Sequence, residues 1–262
     1  MARAVVTGGT KNDADAMAVL AINLRETNPK LADELVIFHN GIPIEKQALM
    51  QQIMPIRFIE YKCPISWIKL MRNKTVRYFS PMVFCKFELF KLLQEYETVI
   101  WTDYDVVIRE SIMEVLDSKE GMSFLVNHNV PLADMFYKSI YNINTSEYNL
   151  NGDSVCAPLI VMNRSIQNYM DYYKWCYRCT EKLIKHLYLP EQCVFTMLVQ
   201  KYCLQYKELD MEVYCMHPEQ RTNRTKILHA YGQPKFWNGL NNDDWNRYNS
   251  VWKEMCDEKL VV

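Results

Sequence analysis

Apolar and polar positions along this chain alternate between two periods. Short apolar runs at residues 4–7, 34–39, 56–61 and 99–102 have the length and β-branched content of strands. Between them, residues 14–26 place Met17, Val19, Leu20, Ile22 and Leu24 at helical spacing. Residues 44–53 read as a second helix, and 81–96 as a third with Pro81 in its first turn, where proline is tolerated. Asn40-Gly41 marks a turn after the second strand. This alternation through the first 110 residues predicts an α/β fold with a mainly parallel sheet covered by helices on both faces. Beyond residue 110 the pattern is mixed. Residues 123–127, 154–163 and 227–231 predict strands; 165–187, 190–202 and 243–259 predict helices. The last helix is expected to pack Trp245, Tyr248 and Trp252 on the body of the protein. With no repeat and no low-complexity linker, residues 1–262 are expected to form one domain, with 1–110 as one half and 111–262 as the other.

Composition narrows the classes. Apolar residues make up 49% of the 262, enough for a full core. The 30 basic and 31 acidic residues nearly cancel, and no basic stripe marks a nucleic-acid partner. Nine cysteines are scattered; only Cys176 and Cys179 have CxxC spacing, which two positions on a helix explain better than a zinc site with His186 alone nearby. Reduced thiols and an N-terminus that enters a strand at once, without signal peptide or spanning helix, lead us to expect a cytoplasmic protein. The Asn-x-Ser/Thr matches at Asn73, Asn144, Asn163 and Asn223 are then chance. The tail from Trp245 to Leu260-Val261-Val262 is mixed in charge, a weak candidate for peripheral contact with a membrane.

The chemistry concentrates in two segments. Val99-Ile100-Trp101-Thr102 runs into Asp103-Tyr104-Asp105. On a continued strand the two acids share a face, about 6–7 Å apart at Cα, with Tyr104 opposite. Two like charges at a sheet end are costly unless something positive compensates, and a divalent metal does so. The second segment is His229-Ala230-Tyr231-Gly232-Gln233-Pro234-Lys235-Phe236-Trp237. Its imidazole can complete a metal shell, Gly232 permits close backbone approach, and Lys235 sets a cation on a phosphate oxygen. Carboxylate with imidazole favours Mn²⁺, with Mg²⁺ second. At the end of the first strand, Thr7-Gly8-Gly9-Thr10 is either a tight turn or a nucleotide contact.

These two motifs, in this order, resemble glycosyltransferase family 8, which has the GT-A fold and includes bacterial lipopolysaccharide galactosyl- and glucosyltransferases and glycogenin. The resemblance runs from the first strand to Trp237. It implies a Rossmann-like sheet with a smaller antiparallel part on the acceptor side. It also implies a metal held by Asp103, Asp105 and His229, and nucleotide or diphosphate contacts from Thr7, Gly8, Thr10, Asn12, Tyr104, Gly232 and Lys235. Lys86 stands where the family has a basic residue at the donor sugar; read alone it is a solvated helix lysine. Glu191-Gln192 stands where the family has Asp-Gln beside the anomeric carbon, which makes both catalytic candidates; read alone the pair suits a helix N-terminus after Pro190. Cys156-Ala157-Pro158 replaces the Asn-Ala-Gly that touches donor-sugar hydroxyls, and Asn151 and Asp153 just upstream are the candidate substitutes. Thr10 replaces an acidic residue near the uracil.

The expected function is metal-dependent, retaining transfer of a hexosyl unit from a UDP-sugar to a hydroxyl of a glycan, glycolipid or protein-linked acceptor, with residues 127–153 covering the acceptor. A sugar-nucleotide pyrophosphorylase and a non-catalytic nucleotide-sugar-binding protein are the competing readings.

Overall fold

The computed structural model describes residues 2–258. The predicted helix end at Lys259 and the Leu260-Val261-Val262 tail lie outside them. In chain order the elements are β1 (Arg3–Gly9), α1 (Ala14–Thr27), β2 (Glu34–His39), α2 (Ile44–Met50), β3 (Ile56–Glu60), α3 (Trp67–Leu70), α4 (Lys74–Phe79) and α5 (Glu88–Leu92). The chain continues through β4 (Thr98–Thr102), β5 (Val106–Ile108), β6 (Met122–Pro131), β7 (Asp153–Asn163), α6 (Tyr169–Leu183) and α7 (Pro190–Tyr202). It ends with β8 (Lys207–Leu209), α8 (Met211–Tyr214), β9 (Ile227–His229) and α9 (Asp243–Glu258).

Seven strands form one sheet in the order β3-β2-β1-β4-β7-β6-β8. β1 to β4 are mutually parallel, as the strand–helix alternation predicts, and β7 runs antiparallel to both β4 and β6. Alternation along each strand feeds two apolar layers. Ala4, Val6, Val36, Phe38, Val99 and Trp101 face the layer built with α5, α6 and α7. Val5, Leu35, Ile37 and Ile100 face the layer built with α1, α2 and α9, where Trp245, Tyr248 and Trp252 are buried as expected. A separate antiparallel pair, β5 with β9, brings residues 106–108 against 227–229. Cys176 and Cys179 lie on α6, buried and free, so the CxxC spacing is helical packing.

Two departures from the sequence pattern shape the site. The predicted helix over 81–96 is instead a 3₁₀ helix, Pro81–Phe87, followed by the short α5. The 3₁₀ period eclipses positions three apart, so Phe84 and Phe87 stack into the same core with ring centroids 5.9 Å apart. Lys86 is thereby buried rather than solvated. The second departure is in β7. β6 pairs Phe124 with Ile160 but Leu125 with Cys156, so Ala157, Pro158 and Leu159 form a bulge. A proline, lacking an N–H, is at home in such a bulge. Pro158 still offers its carbonyl to the Asp103 N–H at 3.0 Å.

Candidate active site

The sheet stops short of the Asp-x-Asp. β4 ends at Thr102, and Asp103-Tyr104-Asp105 forms the bend that carries the chain from the main sheet into β5. The continued strand expected from sequence is therefore broken, and the acids converge because the bend is pinned. Asp103 N–H is held by Pro158, and the Asp105 carbonyl accepts from the Ala230 N–H at 2.9 Å. Pairing of Val106 with His229 in the small sheet brings the histidine to the acids.

His229 Nε2 lies 3.2 Å from Asp105 Oδ1 and 3.8 Å from Asp103 Oδ2. The three donor atoms fall within 4.8 Å of one another. Ligands on adjacent corners of an octahedral Mg²⁺- or Mn²⁺-like ion sit about 3 Å apart, so these residues fit a divalent cation. The other ring nitrogen, Nδ1, meets Cys215 Sγ at 3.2 Å. Burial opposes a charge on the ring, but Asp105 and Cys215 together outweigh burial and hold its pKa above the ordinary value. Burial likewise opposes ionisation of Asp105, and His229 and Lys235 together hold that carboxyl well below the usual range.

Each acid turns its remaining oxygen to a lysine. Asp103 Oδ1 accepts from Trp101 Nε1 at 2.7 Å and lies 3.0 Å from Lys86 Nζ. Asp105 Oδ2 accepts from Lys235, whose ammonium also donates to the Ala230 carbonyl at 2.7 Å. Lys86 is a buried bridge: its Nζ lies 3.1 Å from Glu191 Oε1 and over the Trp101 ring, 5.4 Å from the centroid. Burial lowers its pKa, but Asp103 and Glu191 more than reverse this, so the ammonium stays charged. Charge compensation of the acids is thus largely built into the protein.

The N-terminus of α7 closes one side of the cleft. Pro190 stands in its first turn, and Glu191 is buried against Lys86. Gln192 Oε1 accepts the Ala157 N–H at 3.3 Å, which fastens α7 to the β7 bulge. Cys156 beside it is a buried thiol whose pKa burial pushes up to about 12. Gly8 and Gly9 line the cleft, but close packing also explains them. A Cβ on Gly8 would come within 2.6 Å of Cys85 Sγ, and one on Gly9 within 2.9 Å of Tyr104. Tyr104 stacks on Trp237 at 5.9 Å; its burial, then the charges of Asp13 and Asp105, push its phenol up. Gly232, at φ +76°, has open space around it and faces the cleft.

The cleft has a volume of about 560 Å³. Of the residues expected there, Gly8, Thr10, Lys86, Asp103, Tyr104, Asp105, Cys156, Glu191, Gln192, His229, Gly232 and Lys235 line it. Others stand apart. Thr7 is fully buried in β1 with its hydroxyl unpartnered. Ala157 is buried inside the bulge and reaches the site only through Gln192. Asn12 opens onto a neighbouring cavity with Trp237 and Trp252. Asp153, at the far end of β7, pairs with His128 at 2.7 Å, which also meets Glu208 at 2.7 Å; hydrogen bonds to Asp153 and then Glu208 raise the His128 pKa. Sequence reasoning missed Asp13, Trp101, Cys215 and Tyr231, which also line the cleft. Asp13 accepts from both the N–H and the hydroxyl of Thr10, at 2.7 Å each. The Thr10-x-x-Asp13 capping spacing was a readable signal for it; nothing local marked Cys215.

A mainly parallel sheet with an Asp-x-Asp at a strand's carboxyl end, joined by a distant histidine and lysine, defines a GT-A-type glycosyltransferase. The Glycosyl transferase family 8 model matches residues 4–241, and the chain belongs to that family. Among solved structures, an active-site mutant of LgtC is similar with a TM-score of 0.69 and 15% identity, covering 97% of this chain and 95% of LgtC. The galactosyltransferase LgtC in complex with donor and acceptor sugar analogs is similar at 0.66 and 15% identity, with the same coverage of 97% and 95%. Apo GlyE of Streptococcus pneumoniae TIGR4 is similar at 0.63 and 17% identity; this chain is covered in full and spans 63% of GlyE. No curated protein sequence matches the chain. Among the described residues no helix is long and apolar enough to cross a membrane.

Proposed function

We propose that this glycosyltransferase is metal-dependent and moves a hexosyl unit from a UDP-sugar to a hydroxyl of a glycan, glycolipid or protein-linked acceptor, with retention at the anomeric carbon. The observation that carries the reading is the convergence of one oxygen from each acid on His229 Nε2, with the other oxygens held by lysines. Asp103, Asp105 and His229 would hold the cation, Mn²⁺ by their mixed donor set. When bound, it would supply positive charge to the diphosphate of departing UDP.

The chain's own groups do the rest. Lys235 keeps an ammonium beside Asp105, within reach of a phosphate seated on the Gly232 loop, as a fixed electrostatic stabiliser. Residues 1–110 would hold the nucleotide, with Asp13 taking the role that Thr10 leaves open. Residues 111–262 would hold sugar and acceptor. Lys86 ties Asp103 to Glu191 and so fixes the metal side of the cleft relative to the start of α7. Gln192, its oxygen occupied by Ala157, presents its amide N–H₂ to the sugar. Asp153 is paired with His128 and does not line the cleft, whereas Cys156 and Gln192 do, so these two are the favoured sugar contacts. The complex of LgtC with donor and acceptor sugar analogs supports a cleft that serves both substrates.

A screen of UDP release across UDP-sugars with Mn²⁺ tests this. Turnover is expected with at least one donor, and Asp105→Asn should lower it by about 100-fold or more in protein that circular dichroism shows to be folded, although loss of the charge facing His229 and Lys235 also lowers its unfolding temperature. Undiminished turnover in that variant would remove the metal assignment.

A further inference from the structure

The exposed large apolar side chains of the described residues are not spread evenly. Trp67 (64% exposed), Ile68 (71%), Tyr78 (67%), Phe79 (50%), Tyr141 (68%) and Tyr188 (49%) belong to three segments that touch. Asn73, between α3 and α4, donates to the Ile184 and Leu187 carbonyls at 2.6 Å each. Thr75 and Tyr137 share a hydroxyl contact at 2.7 Å. Tyr137 N–H donates to the His186 carbonyl and Tyr188 N–H to that of Met135, at 2.7 and 2.9 Å. Phe79, Met135 and Leu189 from these same segments line the cleft. The patch therefore borders the candidate active site through Phe79 and the segments that carry Met135 and Leu189.

Its charge is one-sided. Residues 61–80 carry Lys62, Lys69, Arg72, Lys74 and Arg77 and no acidic residue, in a chain whose net charge is −1. Lys62 pairs with Glu60 at 3.5 Å and Lys69 with Glu181 at 2.7 Å. Among the described residues, Arg72, Lys74 and Arg77 have no carboxylate within 4.0 Å and are exposed. Asp134 and Glu181 are the acids on the flanking segments, opposed there by Lys138, Lys182 and Lys185.

We infer that α3, α4 and the flanking Tyr141 and Tyr188 dock this protein on an anionic lipid bilayer, with the cleft mouth facing the headgroups. Tryptophan and tyrosine settle at the headgroup level, and an aliphatic side chain such as Ile68 enters the acyl boundary. Unpaired cations among them are attracted by anionic headgroups. A neutral glycan would profit from the aromatic rings but not from Ile68 or the excess cations. A second copy of a chain with the same basic patch would be repelled across a two-fold contact. The inference stands independently of the donor and metal reading.

Co-sedimentation of the full chain with vesicles tests it. Binding is expected to phosphatidylcholine–phosphatidylglycerol vesicles, weak binding to phosphatidylcholine alone, and loss at high salt. The double variant Arg72→Glu/Lys74→Glu should weaken binding by about tenfold or more. Trp67→Ser/Ile68→Ser should weaken it comparably with unchanged unfolding temperature. No binding by the unaltered chain, equal binding to neutral vesicles, or binding indifferent to both double variants would overturn the inference. So would sedimentation analysis showing that Trp67→Ser/Ile68→Ser breaks a dimer while vesicle binding stays constant.

Discussion

At the scale of single residues, the least expected feature is a thiol behind the histidine. A metal-ligating imidazole usually gives its second N–H to a carboxylate or a carbonyl, which fixes the tautomer and the ring plane. In the metal site proposed here Cys215 Sγ takes that place, 3.2 Å from His229 Nδ1, with Tyr231 edge-on to the ring at 5.6 Å. Cys215→Ala leaves Nδ1 without its partner and frees the ring to turn. The Mn²⁺ concentration for half-maximal turnover should then rise by about tenfold, with the rate at saturating Mn²⁺ nearly unchanged. A metal titration of the purified variant checks this; an unmoved curve would mean that pairing with Val106 alone sets the ring. The lysines teach a related lesson. The acid pair invites a metal on charge grounds, yet Lys86 and Lys235 already neutralise one oxygen of each acid. The geometric convergence on His229, rather than a charge deficit, is the stronger argument for a cation.

At the scale of elements, short pieces held by side chains do the positioning. α4 has only Lys74–Phe79, too few residues to be stable by itself. Asn73 carries it: its Oδ1 caps the Val76 N–H at 2.9 Å while its amide satisfies the Ile184 and Leu187 carbonyls in the turn after α6. Removing the side chain leaves three buried backbone groups without partners. Asn73→Ala should cost about 2–4 kcal/mol, read as a lowered urea midpoint at unchanged slope. The same residue is the Asn of an Asn-x-Thr match, and its complete burial closes it to modification in the folded protein. The 3₁₀ helix Pro81–Phe87 works differently. Its eclipsed aromatics anchor it in the core, and the register this imposes turns Lys86 inward to the acids.

At the scale of the whole molecule, the cleft draws on β1, the β4–β5 bend, β7, α7 and the loop after β9, so a ligand there clamps segments distant in sequence. A ligand that binds only the folded state raises stability by mass action, by about 2.7 kcal/mol at a hundredfold excess over its dissociation constant. For a chain of this size that is roughly 5–10 °C in unfolding temperature. UDP with Mn²⁺ should produce such a shift. UDP alone should produce little, and Asp105→Asn should abolish the joint effect. Differential scanning fluorimetry checks all three arms.

The parallel strands, the helices read over 14–26, 190–202 and 243–259 (the last described to Glu258), and the residues of both motifs were legible from residue order, because each rests on periodicity or on side-chain chemistry within a few positions. Local pattern also singled out Asp103, Asp105, His229 and Lys235, which the structure brings to one cleft, though it drew the acids on a strand that in fact ends before them. What only the tertiary structure decided was reach. The pairing of β5 with β9 brings residue 229 to residue 105; the bulge at Ala157–Leu159 fastens Gln192; the 3₁₀ register buries Lys86; and Cys215 stands behind His229 with no local mark. Each is a contact between segments far apart along the chain, made where a strand breaks or a helix tightens. A period of two or of 3.6 carries no information about which distant segment will fill that gap.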